Sequence, residues 1–380
     1  MSFEVDTKIP YGNACDISIT ESGGMTEISF ASDPHGGPEC LWFCFRLKQS
    51  ASDAKAGQKV KLVLKHSYNM LGGGNPLNMR PVMRRDGADW VRLDAPTVEK
   101  LADGRNRAAW VVDAPETFVD VAYCYPYGRS DVDALVNETD GYWQADTIGV
   151  SQNARPLIRL SNSYGEVGSD RPGVYLMSRQ HSSETSGSWV LDGFLRHIAS
   201  LGNDAPLVWS VPLTNIDGVE QGDYGKDNFP YDLNRAWGSP PMRHEVLVFQ
   251  RDMVRWKARC RPVLAIDFHS PGACETSGLY CFMPDPEKFR EHHRAVLEFT
   301  GGIETALTSK YAASPFGRVA NYRSRWETPS FAKYCWSSHK IAGFTIENPY
   351  AMVGDLVLTR ERYREAGERI ASAAVAVLRA

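Results

Sequence analysis

Gly173 to Ile198 reads GVYLMSRQHSSETSGSWVLDGFLRHI. Its opening run is apolar and of strand length. From Trp189 onward apolar residues recur at helical spacing, Val190, Phe194 and Ile198 on one stripe and Leu191 and Leu195 on the next. A buried strand feeding an amphipathic helix through a short polar turn is the repeating unit of a sheet covered by helices on both faces. The turn itself carries His181 and Glu184, three residues apart. An imidazole and a carboxylate on one turn are half of a metal site, because zinc takes mixed nitrogen and oxygen ligands at about 2.0–2.2 Å. Three protein ligands leave a fourth position for water, which marks a catalytic rather than a structural zinc.

The third ligand is expected downstream, in VLAIDFHS, where Val263, Leu264, Ala265, Ile266 and Phe268 form a strand-like run that delivers His269 at its end. Further strand-like runs (LVWSVPLT, LYCFMP, GFTIEN) alternate with helical patterns, and Leu358 to Arg379 has few breakers and reads as a closing helix. Ligand sites in such sheets lie where strands end. Both His269 and the HSSE turn fall there. Asp267, two before His269, shares its face of the strand and is a candidate to orient the imidazole.

The first part of the chain has a different texture. Short segments such as DISITES, MTEISFAS, LWFCFRLKQS, VKLVLKHS and FVDVAYCYPY are separated by Gly, Pro, Asp and Asn clusters. That rhythm predicts an antiparallel β-sandwich. The expected organisation is a sandwich domain over 1–138 and an α/β domain with a mixed central sheet over 139–380. With 380 residues, two cores are expected.

A net charge of -4, from 42 basic and 46 acidic residues without a basic tract, argues against nucleic acid as a partner. There is no leader-like N-terminus and no apolar run of about 18 residues, so neither secretion nor a membrane span is expected. The eight cysteines are scattered without a CxxC pair, which predicts reduced thiols and a cytoplasmic location. His292 and His293, in EKFREHHRAVLEF, are expected on a solvated helix face, and His244 at a helix start.

The order HSSE, PLTNIDGVEQGDY, YDLNRAW, IDFHS and GFTIENPY resembles the zinc metallocarboxypeptidase family, most closely its cytosolic branch and bacterial relatives of it. The resemblance runs from about Pro172 to Tyr350, with AYCYPY at Ala122 to Tyr127 extending it upstream. It implies one zinc per chain on His181, Glu184 and His269, and a β-sandwich ahead of the catalytic domain. Glu347, delivered at the end of an apolar run, matches the family's catalytic glutamate and suits a general base. Arg235 with Asn234 matches the pair that holds the substrate's terminal carboxylate, a task for which a guanidinium fork is suited.

The chain departs from the family where an arginine normally follows the aromatic of GDY. Gly225 stands there, with Lys226 beside it as the remaining oxyanion donor, and Arg318 to Arg325 nearby. Tyr322 and Tyr334 are the two candidates for the substrate-side tyrosine. Arg318, Arg323, Arg325, Lys333 and Lys340 against a single Glu327 suggest a basic pocket wall, with Arg323 and Arg325 as the residues that would select an acidic side chain. The expected activity is hydrolysis of the C-terminal peptide bond of a peptide or protein, with preference for C-terminal Glu or Asp. The alternatives are an N-acyl amino acid deacylase of the same fold and a non-catalytic binding module. The sequence sets no oligomeric state.

Overall fold

The computed structural model describes residues 3–35, 37–49, 58–226, 231–321 and 326–380. Strands between Phe3 and Ala122 form two five-stranded sheets. One runs Phe3–Asp6, Cys44–Gln49, Phe118–Ala122, Val82–Arg85, Val91–Arg92, with every pair antiparallel. The other runs Cys15–Ser22, Met25–Ala31, Lys59–Leu64, Asn106–Asp113, Thr97–Lys100. It is antiparallel except where Met25–Ala31 pairs with Lys59–Leu64 in parallel. Phe30 from the second sheet meets Phe43 and Phe45 edge-on at 5.1 and 4.7 Å, an arrangement in which ring edges face the negative ring faces. The expected sandwich is therefore present, with one parallel pair.

The rest of the chain is built on an eight-stranded mixed sheet. Its order is Gln144–Val150, Pro156–Ser161, Leu207–Val211, Pro172–Ser178, Arg261–His269, Ala342–Glu347, Leu279–Met283, Ala312–Val319. The four central strands are parallel, and Pro172–Ser178, Arg261–His269 and Ala342–Glu347 are buried almost throughout, as continuous apolar runs covered on both faces must be. Because they are parallel, Ser178, Val211, His269 and Glu347 all finish at one edge. His269 and Glu347 are direct register partners.

Helix Thr185–Ser200 buries both stripes anticipated from the sequence. It crosses the C-terminal helix Arg360–Arg379 where Gly193 and Gly367 let the backbones touch; a Cβ on Gly193 would lie 2.1 Å from the Arg364 carbonyl oxygen. All eight cysteines are free thiols, six of them buried. Among the described residues no helix is long and apolar enough to cross a membrane. His244 opens helix His244–Lys257 as expected. His292 differs from expectation: it is 4% exposed, stacked on Trp336 at 4.9 Å, with Nε2 2.9 Å from the Gly343 carbonyl oxygen. A charged-looking stretch of helix thus turns one imidazole inward, where Trp336 covers a ring face and a backbone carbonyl partners Nε2.

The two halves interlock. Arg92 Nε donates to the Leu358 carbonyl at 2.8 Å, the Tyr123 hydroxyl donates to the Ala273 carbonyl, and Asn13 Nδ2 donates to the Gly222 carbonyl at 2.8 Å.

Candidate metal centre at the sheet edge

Glu184 occupies the N-cap of helix Thr185–Ser200, where the helix dipole favours a carboxylate. Gly187, in the first turn, lets that turn close on the strand carrying His269; a Cβ there would lie 2.8 Å from the Phe268 carbonyl oxygen. Ser186 ties to Ser270 and to the Asn348 carbonyl at 2.6 and 2.8 Å, and the Asn348 amide donates to the His269 carbonyl at 2.7 Å. Helix start, turn and two strand ends are thereby stitched into one unit.

Within it, His181, Glu184 and His269 converge with their ligand atoms all within 4.8 Å of one another. His181 Nδ1 lies 2.8 Å and His269 Nδ1 2.7 Å from the Glu184 carboxylate, and the two Nδ1 atoms are 3.1 Å apart. The outer nitrogens are held by carboxylates: His181 Nε2 by Asp232 at 3.2 Å and His269 Nε2 by Asp267 at 2.6 Å. An Nε2–H donated outward leaves the Nδ1 lone pair facing inward, which is the tautomer a metal ligand needs. Two imidazoles and one carboxylate fit a borderline dication such as zinc and leave a position open.

The electrostatics agree with the donor set. Burial works against charge on His181, but Glu184 and Asp232 more than offset it and bring its pKa up to about 9. Burial is likewise overcome at His269, raised by Asp267 and Glu184. Glu184 stays ionised well below the usual carboxylate range despite burial, because both imidazoles face it. The cluster is a fixed negative field that attracts a cation, whether proton or metal. Asp267 behaves as its spacing suggested. Asp232 was not singled out, although its place two residues before Asn234 was the available signal.

Glu347, beside His269 in the sheet, is pushed up to about 7 by burial, with Glu184 adding to the shift and the histidines and Lys226 opposing it. The Lys226 Nζ lies 3.7 Å from the Glu39 carboxylate of the sandwich. Asn234 is buried, with Oδ1 accepting from the Phe331 N–H and Nδ2 3.0 Å from His269 Nε2, so its amide is built into the wall behind the ligand. Arg235 is partly exposed, its Nη1 donating to the Asn234 carbonyl at 2.9 Å and its own carbonyl accepting from Thr328. Lys333 is exposed on its helix, and its pKa is held below the usual range by partial desolvation of the ammonium and by the positive charge of Arg235. Arg323, Arg325 and Tyr322 lie outside the described residues. The Tyr334 hydroxyl is taken up by His339 at 3.1 Å. Arg318 lies over the Tyr280 ring and donates to Ser277, and Lys340 lies over Trp336. Sequence reading also passed over two buried phenols, Tyr224 and Tyr350, whose hydroxyls have no partner among the described residues.

No protein-family model matches the chain. It is 29% identical to human cytosolic carboxypeptidase 1 over 173 residues, 39% of this chain and 14% of that protein. To mouse cytosolic carboxypeptidase 6 it is 25% identical over 293 residues, 69% of this chain and 52% of that protein. The chain is a relative of the cytosolic carboxypeptidases. It spans a small part of the first of these proteins and about half of the second. Among solved structures, a metallo-carboxypeptidase from Burkholderia cenocepacia superposes with a TM-score of 0.77 at 18% identity, over 100% of this chain and 99% of that one. A metallo-carboxypeptidase from Pseudomonas aeruginosa, in complex with (2-guanidinoethylmercapto)succinic acid, gives 0.74 at 18% identity over 99% of both. The sandwich followed by the mixed sheet is thus a metallocarboxypeptidase fold from end to end.

Proposed function

We propose that this chain is a zinc-dependent carboxypeptidase, binding one zinc on His181, Glu184 and His269 and releasing the C-terminal residue of a peptide or protein in the cytoplasm. The observation that carries the reading is the convergence of those three side chains at the sheet edge, with Glu347 in register beside His269. When bound, zinc supplies a Lewis acid for the scissile carbonyl and lowers the pKa of water. Glu347 takes the proton of the attacking water and passes it to the departing amine. Burial raises this carboxyl above the usual carboxylate range, which favours its taking that proton. Arg235 binds the terminal carboxylate through its guanidinium fork, which confines cleavage to the last bond. Asn234 acts behind it by holding the start of helix Phe331–His339. Lys226, whose charge bears on Glu347, adds positive charge toward the place where the reacting carbonyl is expected.

The preference for C-terminal Glu or Asp is part of the same proposal. Lys333 next to Arg235 supports it, and Arg323 and Arg325 remain its proposed selectors. Otherwise identical peptides ending in Glu, Asp, Leu, Phe or Lys, analysed by mass spectrometry with and without added zinc, test both parts. Loss of single C-terminal residues only with zinc, fastest for Glu or Asp, is the expected result. Zinc-dependent cleavage that prefers aromatic or basic ends rejects the basic wall alone. Turnover of N-acyl amino acids without peptide cleavage replaces the proposal with the deacylase.

A further inference from the structure

A loop between strands Met25–Ala31 and Cys44–Gln49 of the sandwich reaches the segment Gly222 to Lys226 and brings a carboxylate with it. Asn13 brackets the start of that loop, its Nδ2 donating to the Asp33 carbonyl at 2.9 Å and its Oδ1 accepting the Asp33 N–H at 2.8 Å. Cys40 anchors the far end by a bridge to Met70, and its carbonyl accepts the Leu71 N–H at 3.0 Å. Glu39, the residue before Cys40, therefore leaves a fixed backbone. Its carboxylate lies 3.7 Å from Lys226 Nζ, with the two side chains 22% and 30% exposed.

Backbone contacts place Lys226 beside the metal centre. Ser182 and Ser183 lie between the ligands His181 and Glu184; the Ser182 hydroxyl donates to the Asp223 carbonyl at 2.9 Å and the Ser183 N–H to the Tyr224 carbonyl at 3.1 Å. From the sandwich, Asn13 holds the Gly222 carbonyl at 2.8 Å and His35 Nδ1 pairs with Asp223 at 2.6 Å. Gly225 has φ +84°, and a Cβ there would come 2.3 Å from Ser182 Oγ and 2.5 Å from its nitrogen. No side chain fits at that position, so the cation of this segment can come only from the next residue. Lys226 starts one Cα–Cα step, about 3.8 Å, from a glycine that touches the metal loop.

A lysine is a flexible point charge, and this one stands near a centre that already holds the carboxylates of Glu184 and Glu347. Unanchored, its ammonium would settle on the base and occupy the oxygen that has to take a proton. Glu39 supplies a third carboxylate, on the sandwich side. At 3.7 Å the contact is an ion pair without a short hydrogen bond, so it fixes the charge and leaves the three N–H groups of the ammonium available. We propose that Glu39 is a positioning residue, whose carboxylate holds the Lys226 ammonium off Glu347 and ready to donate to the scissile carbonyl oxygen as that oxygen gains negative charge. The inference rests on the carboxypeptidase reading and on the role given there to Lys226. No proton leaves the ammonium, and Glu39 touches no substrate atom. A donor oriented beforehand needs no reorganisation when charge develops, which is where such donors gain their effect. The sandwich thereby completes a site whose metal ligands all come from the other half of the chain.

A double-mutant cycle of Glu39→Gln, which removes the charge and keeps the size, with Lys226→Ala tests this. Alone, Glu39→Gln should lower kcat by about 5- to 10-fold with KM within about twofold, the scale of one partly exposed ion pair plus the freedom returned to a lysine. Binding of a phosphonate analogue of a Glu-terminated peptide, followed by calorimetry, should weaken by a comparable factor, while zinc content and Tm stay level. Lys226→Ala should lower kcat by about 100-fold, and adding Glu39→Gln to it should change kcat by less than about twofold, because the carboxylate acts through the lysine. Wild-type kcat in Glu39→Gln overturns the proposal, as does an equal fall in both backgrounds or a fall accompanied by lost zinc or a lower Tm. An active wild type with an unaffected Lys226→Ala removes the lysine, and Glu39 with it. A wild-type protein that cleaves no peptide with zinc bound overturns the carboxypeptidase reading itself.

Discussion

Asp267→Asn is the most informative perturbation of the metal centre, because it changes a group that touches no metal. Asp267 is fully buried, and its Oδ2 receives both His269 Nε2 at 2.6 Å and the Gln180 amide, which is itself anchored by Trp237 Nε1 at 2.7 Å. The ring of His269 therefore has one acceptor fixed behind it by two further side chains. An asparagine amide in that place either turns a donor toward the Nε2–H or presents a weaker, neutral acceptor. The first case drives the imidazole proton to Nδ1, the atom that faces Glu184 and His181. Both cases make Nδ1 a poorer ligand. Loss of an outer carboxylate of this kind typically lowers metal affinity by about 10- to 100-fold, or about 1.4–2.8 kcal/mol. Competition against a chromophoric chelator at constant pH reads the change directly, with circular dichroism confirming that the metal-free variant is folded. An affinity within about twofold of wild type would refute the reasoning, since Asp267 would then be a buried partner of Gln180 with no hold on the ligand.

Glu347→Gln should keep its zinc while turnover falls by about 10²- to 10⁴-fold, as measured by metal analysis and kcat on the same preparation. With the Glu347 pKa raised by burial to about 7, the base is lost as pH falls through that value, so kcat/KM should rise with pH on an acid limb. A bound dication moves this limb below 7, and the limb should disappear in Glu347→Gln. Arg235→Ala should cost about 2–5 kcal/mol in kcat/KM on free-acid peptides, as expected for one partner of a desolvated charge pair; amidated peptides cut as fast as free acids by the wild type would remove the clamp. Chelation should lower Tm reversibly, because a ligand at 1,000 times its Kd contributes about 4 kcal/mol to the native state; a scan insensitive to chelator and to added zinc would count against the centre.

Local reading took the chain a long way where the determining interactions are themselves local. The run at Gly173 to Ile198 carries both periodicities, and the strand, the turn and helix Thr185–Ser200 follow from them. His269 and Glu347 were legible for the same reason: an apolar strand that ends in a titratable side chain delivers it to the sheet edge wherever the sheet lies. Asp267 came from strand alternation alone. His292 was misread because its acidic and basic neighbours say nothing about which ring, here Trp336, packs against it from another helix.

What only the tertiary structure decided is how segments far apart in the chain meet. Strand order puts Arg261–His269 between Pro172–Ser178 and Ala342–Glu347, and this adjacency turns three separate motifs into one centre. The outer carboxylate of Asp232, the burial that raises Glu347 and the Glu39 charge facing Lys226 all depend on that packing. Periodicity is imposed by the backbone on near neighbours, so sequence alone fixed the elements and the residues at their ends. Desolvation and Coulomb interactions act across whatever space the fold closes, so the protonation, pairing and orientation of those residues were set only when the sandwich and the sheet came together.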